Sequence, residues 1–99
     1  MPKYVVLVNW TEQGAKAATE TVQRAERVGQ LAEQLGGRME LLLWTLGRYD
    51  LVGVMDMPSD EAFAALGLQV GMTGTVRTES LRAFTAEELT GILQQVPGS

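Results

Sequence analysis

Near the middle of the chain two extended apolar segments, Met39 to Leu46 and Tyr49 to Met57, are separated by only Gly47 and Arg48. So short a connection, with glycine available where a positive φ is needed, predicts a β-hairpin. Upstream, Tyr4-Val5-Val6-Leu7-Val8 is a β-branched run bounded by Asn9 and Thr11, which reads as a first strand over residues 3 to 9. Between that strand and the hairpin, Val22, Ala25, Val28, Ala32 and Leu35 recur at spacings of three and four, with charged or amide side chains between them. That spacing predicts an amphipathic helix, capped by Thr19 or an earlier threonine and stopped by Gly36-Gly37.

Downstream, Ser59 followed by Asp60 and Glu61 marks a second helix start, with Phe63, Leu66 and Val70 as its buried stripe and Gly71 and Gly74 at its end. Thr75 to Phe84 is rich in Thr and charge, as an edge strand is. Thr85 and Glu88 have capping-box spacing ahead of Leu89, Ile92 and Leu93, which predicts a short C-terminal helix. The order β-α-β-β-α-β plus that helix is the ferredoxin-like split βαβ arrangement of the α+β class. It predicts a four-stranded antiparallel sheet with two helices on one face and strands one and three at its centre. The 99 residues are read as one domain, 1–99.

Two helices cover one face of such a sheet, yet the strands are apolar at both parities. Val5, Leu7, Leu42, Trp44, Leu46, Val52 and Val54 stand against Val6, Val8, Leu41, Leu43, Leu51 and Met55. A sheet with one solvated face alternates apolar and polar residues. A homodimer or larger homo-oligomer formed through the open face is therefore expected.

The chemistry is bounded by what is missing. The chain has no cysteine and no histidine, which removes thiolate chemistry, disulfides, the commonest transition-metal ligand and the usual near-neutral acid or base. No metal site and no cofactor is expected; Met55, Met57 and Met72 read as core filler before they read as soft ligands. Ser59, Ser80 and Ser99 have no histidine to activate them. A net charge of −4 with eight scattered basic residues disfavours nucleic acid as a partner. The apolar run that starts at Tyr4 and ends at Asn9 is far short of a signal peptide or a membrane span, so a cytoplasmic protein without a membrane contact is expected.

Candidate site residues fall into two groups. Asn9, Trp10, Trp44, Tyr49 and Asp50 lie near strand ends, where a pocket would stack a flat small molecule on a tryptophan and orient it through Asn9 or Asp50. The competing reading makes the tryptophans core or interface anchors and Asp50 a hairpin cap or an arginine partner. Arg77, with Thr78 as a fork, and Arg82 would hold a carboxylate or phosphate, or else form a solvated edge or ion pairs across a dimer. The acidic pairs Asp60-Glu61 and Glu87-Glu88 open helices, where negative charge is stabilising without catalysis.

Three segments, Tyr4 to Gly14, Thr45-Leu46-Gly47-Arg48-Tyr49-Asp50-Leu51-Val52 and Gly74 to Thr85, together resemble the GYD domain family. The resemblance covers nearly the whole chain and places the name-giving Gly, Tyr and Asp on Gly47, Tyr49 and Asp50. It implies a ferredoxin-like or dimeric α/β-barrel fold and brings no catalytic residues with it. Three functions stay open: an oligomer that binds a small molecule beside the sheet or at the subunit interface, a cofactor-independent enzyme using Asp50 or Tyr49 with Arg77 or Arg82, and a purely structural assembly protein.

Overall fold

The structure, a computed structural model that describes residues 1–98, begins with strand β1 (Lys3–Trp10). Thr11 then caps a five-residue helix α1 (Glu12–Lys16), its hydroxyl accepting from the Gly14 N–H at 3.2 Å. Gly14 permits this turn because a Cβ there would lie 2.0 Å from the Thr75 carbonyl oxygen. After a 3₁₀ turn at Ala18–Glu20 comes α2 (Thr21–Gln34). The expected threonine cap on this helix is absent. Glu20 occupies the cap position without a side-chain bond, and Arg24 reaches back instead, donating to the carbonyls of Ala17 at 2.8 Å and Gly14 at 3.2 Å. Gly36, at φ 88°, provides the left-handed stop.

Strands β2 (Arg38–Trp44) and β3 (Leu51–Asp56) form the hairpin, joined by a longer loop than the two residues expected from the sequence. Thr45 N–H closes the loop on the Asp50 carbonyl at 2.9 Å, enclosing Leu46 to Tyr49, with Gly47 at φ 121°. The reason is Asp50, which β1 captures: its N–H donates to the Val8 carbonyl at 2.9 Å and its carboxylate accepts the Trp10 N–H at 2.9 Å. Helix α3 (Asp60–Met72) starts on the Ser59 cap, strand β4 (Val76–Ala83) follows, and α4 (Ala86–Leu93) carries the complete Thr85–Glu88 capping box.

The sheet is antiparallel throughout, in the order β2-β3-β1-β4, so β1 and β3 are central and β4 is an edge as the sequence predicts. Register sorts the faces. Tyr4, Val6, Val8 and Trp10 share the helix side with Met55, Gly53 and Leu51 and with Arg82, Ser80, Thr78 and Val76. The packed core lies on that side at the start of β1, where Tyr4, Ala32, Met55, Met57 and Leu66 are buried.

On the opposite side Val5, Leu7, Leu41, Leu43, Val52, Val54 and Leu81 form an apolar band across all four strands, with Leu41, Leu43 and Leu81 about half exposed. The described residues leave it partly exposed, and α4 makes at most marginal contact with any strand. The radius of gyration is accordingly 15.2 Å, against about 13 Å for a compact domain of this length.

Candidate functional site

A cleft of about 500 Å³ lies between the two main helices and the sheet. Its floor is Val6, Val8, Leu42 and Met55, its walls are Val28 and Leu31 from α2 and Phe63 and Val70 from α3, and Trp10 stands at its end. It is open because small side chains occupy inner positions: Gly53 on β3, Thr78 and Ser80 on β4, Ala25 on α2 and Gly67 on α3. Polar groups are few. Arg24, held by its two carbonyl acceptors, lines the space with Gln13 and Thr21. Such an apolar enclosure with a few fixed polar groups has the volume and make-up of a small-molecule site.

The opposite face carries a cross-strand ion cluster at the other end of the sheet. Buried Asp56 accepts from Lys3 Nζ at 2.7 Å and from Arg38 Nε at 3.1 Å, while Lys3 also reaches Glu40, which the β2 bulge between Met39 and Leu41 turns to the same side. The Lys3 ammonium, then the Arg38 guanidinium, hold the Asp56 carboxyl below its ordinary range against the cost of its burial, and Asp56 followed by Glu40 raises Lys3. This cluster completes the edge of the apolar band and leaves no charge unpaired.

The candidate residues do not form one site. Trp10 lines the cleft, whereas Asn9 points to the open face, where it sits opposite Arg77 in register. Tyr49 also lies toward that face: its hydroxyl donates to Glu79 Oε2 at 2.9 Å, and this bond first, then desolvation, raises its pKa. Trp44 stands on the edge strand β2 and does not itself line the cleft, but its Nε1 donates to Oγ1 of the lining residue Thr21 at 3.0 Å. Asp50 latches the hairpin to β1.

Arg77 and Thr78 face opposite sides of β4, so they make no fork, and Arg82 lies about 16 Å along the strand from Arg77 on the other face. There Arg82 covers the rings of Tyr4 at 5.7 Å and Phe84 at 4.4 Å. Of the serines, Ser59 is a cap, Ser80 lines the cleft and Ser99 lies outside the described residues. Among the described residues no group of three or more acidic side chains is placed to hold a metal ion.

The sequence reading overlooked Arg24, Gln13, Thr78 and Ser80 as lining residues. The available signal was on β4, where the positions alternating with Arg77 and Glu79 carry short hydroxyl side chains against a helix layer that otherwise meets bulky apolar ones.

A four-stranded antiparallel sheet in this order, with two helices on one side, a cleft beneath them and an open apolar face, defines a ferredoxin-like α+β protein. More particularly, the chain belongs to the GYD domain family, whose family model matches residues 4–93. The "Glutamine synthetase and cystathionine beta-lyase binding protein" of Thermus thermophilus is 30% identical over 90 residues, 90% of this chain and 95% of that protein. The crystal structure of TTHA0845, also from Thermus thermophilus, is similar in fold, with a TM-score of 0.54 at 24% identity, covering 87% of this chain and 96% of that one.

Proposed function

We propose that this GYD-family protein is a non-catalytic binding protein that works as a homodimer, two copies docking sheet to sheet through the open face. The observation that carries the reading is the apolar band of Val5, Leu7, Leu41, Leu43, Val52, Val54 and Leu81, continuous over four strands and partly exposed. Its occupant is a second copy because the surface bookkeeping fits one. The chain exposes 6596 Å², about 1,000 Å² more than a monomer of this mass ordinarily does, and a standard interface removes about 800 Å² from each partner. Stacked sheets about 10 Å apart interdigitate such side chains.

A binding role is supported by the Thermus relative, which is named for binding two enzymes. An enzymatic reading draws less support: Asp50 is committed to a latch, and Arg77 and Arg82 do not converge. In this reading the chain is one folding unit in the cytoplasm, a setting that suits a protein without cysteine. No helix among the described residues is long and apolar enough to cross a membrane.

Light scattering at micromolar concentration tests the dimer. The expected mass is twice the 10.8 kDa of the chain, falling to the single value in a Leu43→Lys, Val54→Lys double variant whose far-UV circular dichroism is unchanged. A wild-type mass of one chain, or a double variant still at the wild-type mass, overturns the proposal.

A further inference from the structure

From the cleft, a site separate from the proposed dimer face, we infer that the protein binds a small monoanion with an apolar body, its carboxylate on Arg24 and its body between the helices and the sheet. Three observations converge on this ligand class. First, the volume of about 500 Å³ and the floor of Val6, Val8, Leu42 and Met55 suit an apolar body of drug size. Second, Arg24 forms no ion pair among the described residues, although it is fixed in place by the carbonyls of Ala17 and Gly14. Those two acceptors use only part of the guanidinium's five donors, and the rest stand ready for a carboxylate with little ordering left to do.

Third, the charged side chains around the cleft are Glu20, Arg24 and Arg27, so the lining is positive by one charge in a chain whose net charge is −4. A single negative charge balances it. Thr78 and Ser80 add hydroxyls at the β4 side that make no hydrogen bond among the described residues, which accommodates a ligand with a modest polar group at its far end. The two tryptophans differ here: Trp10 lines the cleft and Trp44 does not.

The probes are sodium decanoate and decan-1-ol, which share an apolar body and differ in the charged head. In a Trp44→Phe background the emission of Trp10 reports the cleft. Decanoate is expected to change that emission saturably. Arg24→Gln is expected to weaken decanoate by about ten-fold or more, the usual worth of a charge-assisted pair, while leaving decanol unaffected. Because Arg24 also ties α1 to α2, Ser80→Phe provides a second variant: it fills the cleft from an exposed strand position and is expected to abolish the response to both probes.

The inference is overturned if decanoate leaves Trp10 emission unchanged, if Arg24→Gln binds decanoate as tightly as its parent, or if Ser80→Phe keeps the full response. Light scattering on the same samples separates this outcome from failure of the dimer. A probe that lowers the mass to one chain while Ser80→Phe still responds sits on the open sheet face, and the cleft is then not its site.

Discussion

The two ends of the helix-covered face rest on the same four strands and are built differently. Where β1 begins, Tyr4 stacks on Phe63 with ring centroids 3.9 Å apart, Ala32 and Met57 are fully buried, and Arg82 lies over the Tyr4 ring. Where β1 ends, Val8 and Trp10 are half-buried and the inner positions of β4 are the short Thr78 and Ser80. On β4 the difference lies in side-chain size at the inner positions, with Arg82 at the first end and Ser80 and Thr78 toward the second. Close packing, and with it the stability of the fold, is concentrated at the first end, which leaves the second free to enclose a ligand.

The strongest way to break this comparison is to truncate one side chain at each end. Met57→Ala empties a fully buried site in the packed end, away from the cleft lining, and is expected to cost about 2–5 kcal/mol. Val8→Ala removes methyl groups that already face open space, so little new cavity is created and the cost is expected near 1 kcal/mol. Urea denaturation of both variants checks the ratio. Equal losses would mean that the cleft is filled in solution and that the two ends are packed alike.

The same end of the sheet, with Asp56 on the open face and Tyr4 on the helix-covered one, also carries the groups whose titration is tied to folding. Asp56 has its pKa lowered, so its contribution is complete above the ordinary aspartate range, about pH 4, and is lost as pH falls through the lowered folded value. Tyr4 behaves in the opposite sense. Burial, then its bond to Asp60, pushes its pKa up to about 12, so the neutral ring's contribution is present below about pH 10 and is lost between there and about 12. Thermal midpoints measured across pH should show both edges, and Asp56→Ala should remove the acid one at a cost of about 1–2 kcal/mol. That is less than for a fully enclosed pair, because Arg38 stays well solvated.

Much of this architecture is legible in the residues. The helix caps at Ser59 and Thr85, the stop at Gly36 and the two-faced apolar pattern of β1 to β3 each have a local physical cause that the chain displays. The candidate site was less legible because it depends on register. Asn9 and Trp10 are neighbours in sequence and therefore face opposite sides of the sheet, as do Arg77 and Thr78, so proximity along the chain separates them in space. The hairpin loop is longer than its sequence suggests for a related reason: besides accepting from Thr45 across the loop, Asp50 bonds to Val8 and Trp10 of β1, the latter 40 residues away in sequence. How much space two helices leave over a sheet is likewise a property of the assembled layer, and only the short side chains at Gly53, Thr78 and Ser80 hint at it.

The smallest expected effect sharpens the comparison, because each end holds one tyrosine. Tyr4 is buried with its hydroxyl on Asp60, whereas Tyr49 is on the hairpin loop with its hydroxyl on Glu79 in contact with solvent. An exposed pair of this kind contributes little net stability, since water competes for both partners. Tyr49→Phe is therefore expected to leave the urea midpoint unchanged within error. The same variant makes tyrosinate absorbance a report on Tyr4 alone, with ionisation expected near pH 12 and coincident with alkaline unfolding. Ionisation near pH 10 without loss of structure would place the Tyr4 ring in water, and the contrast between a packed end and an open one would not hold.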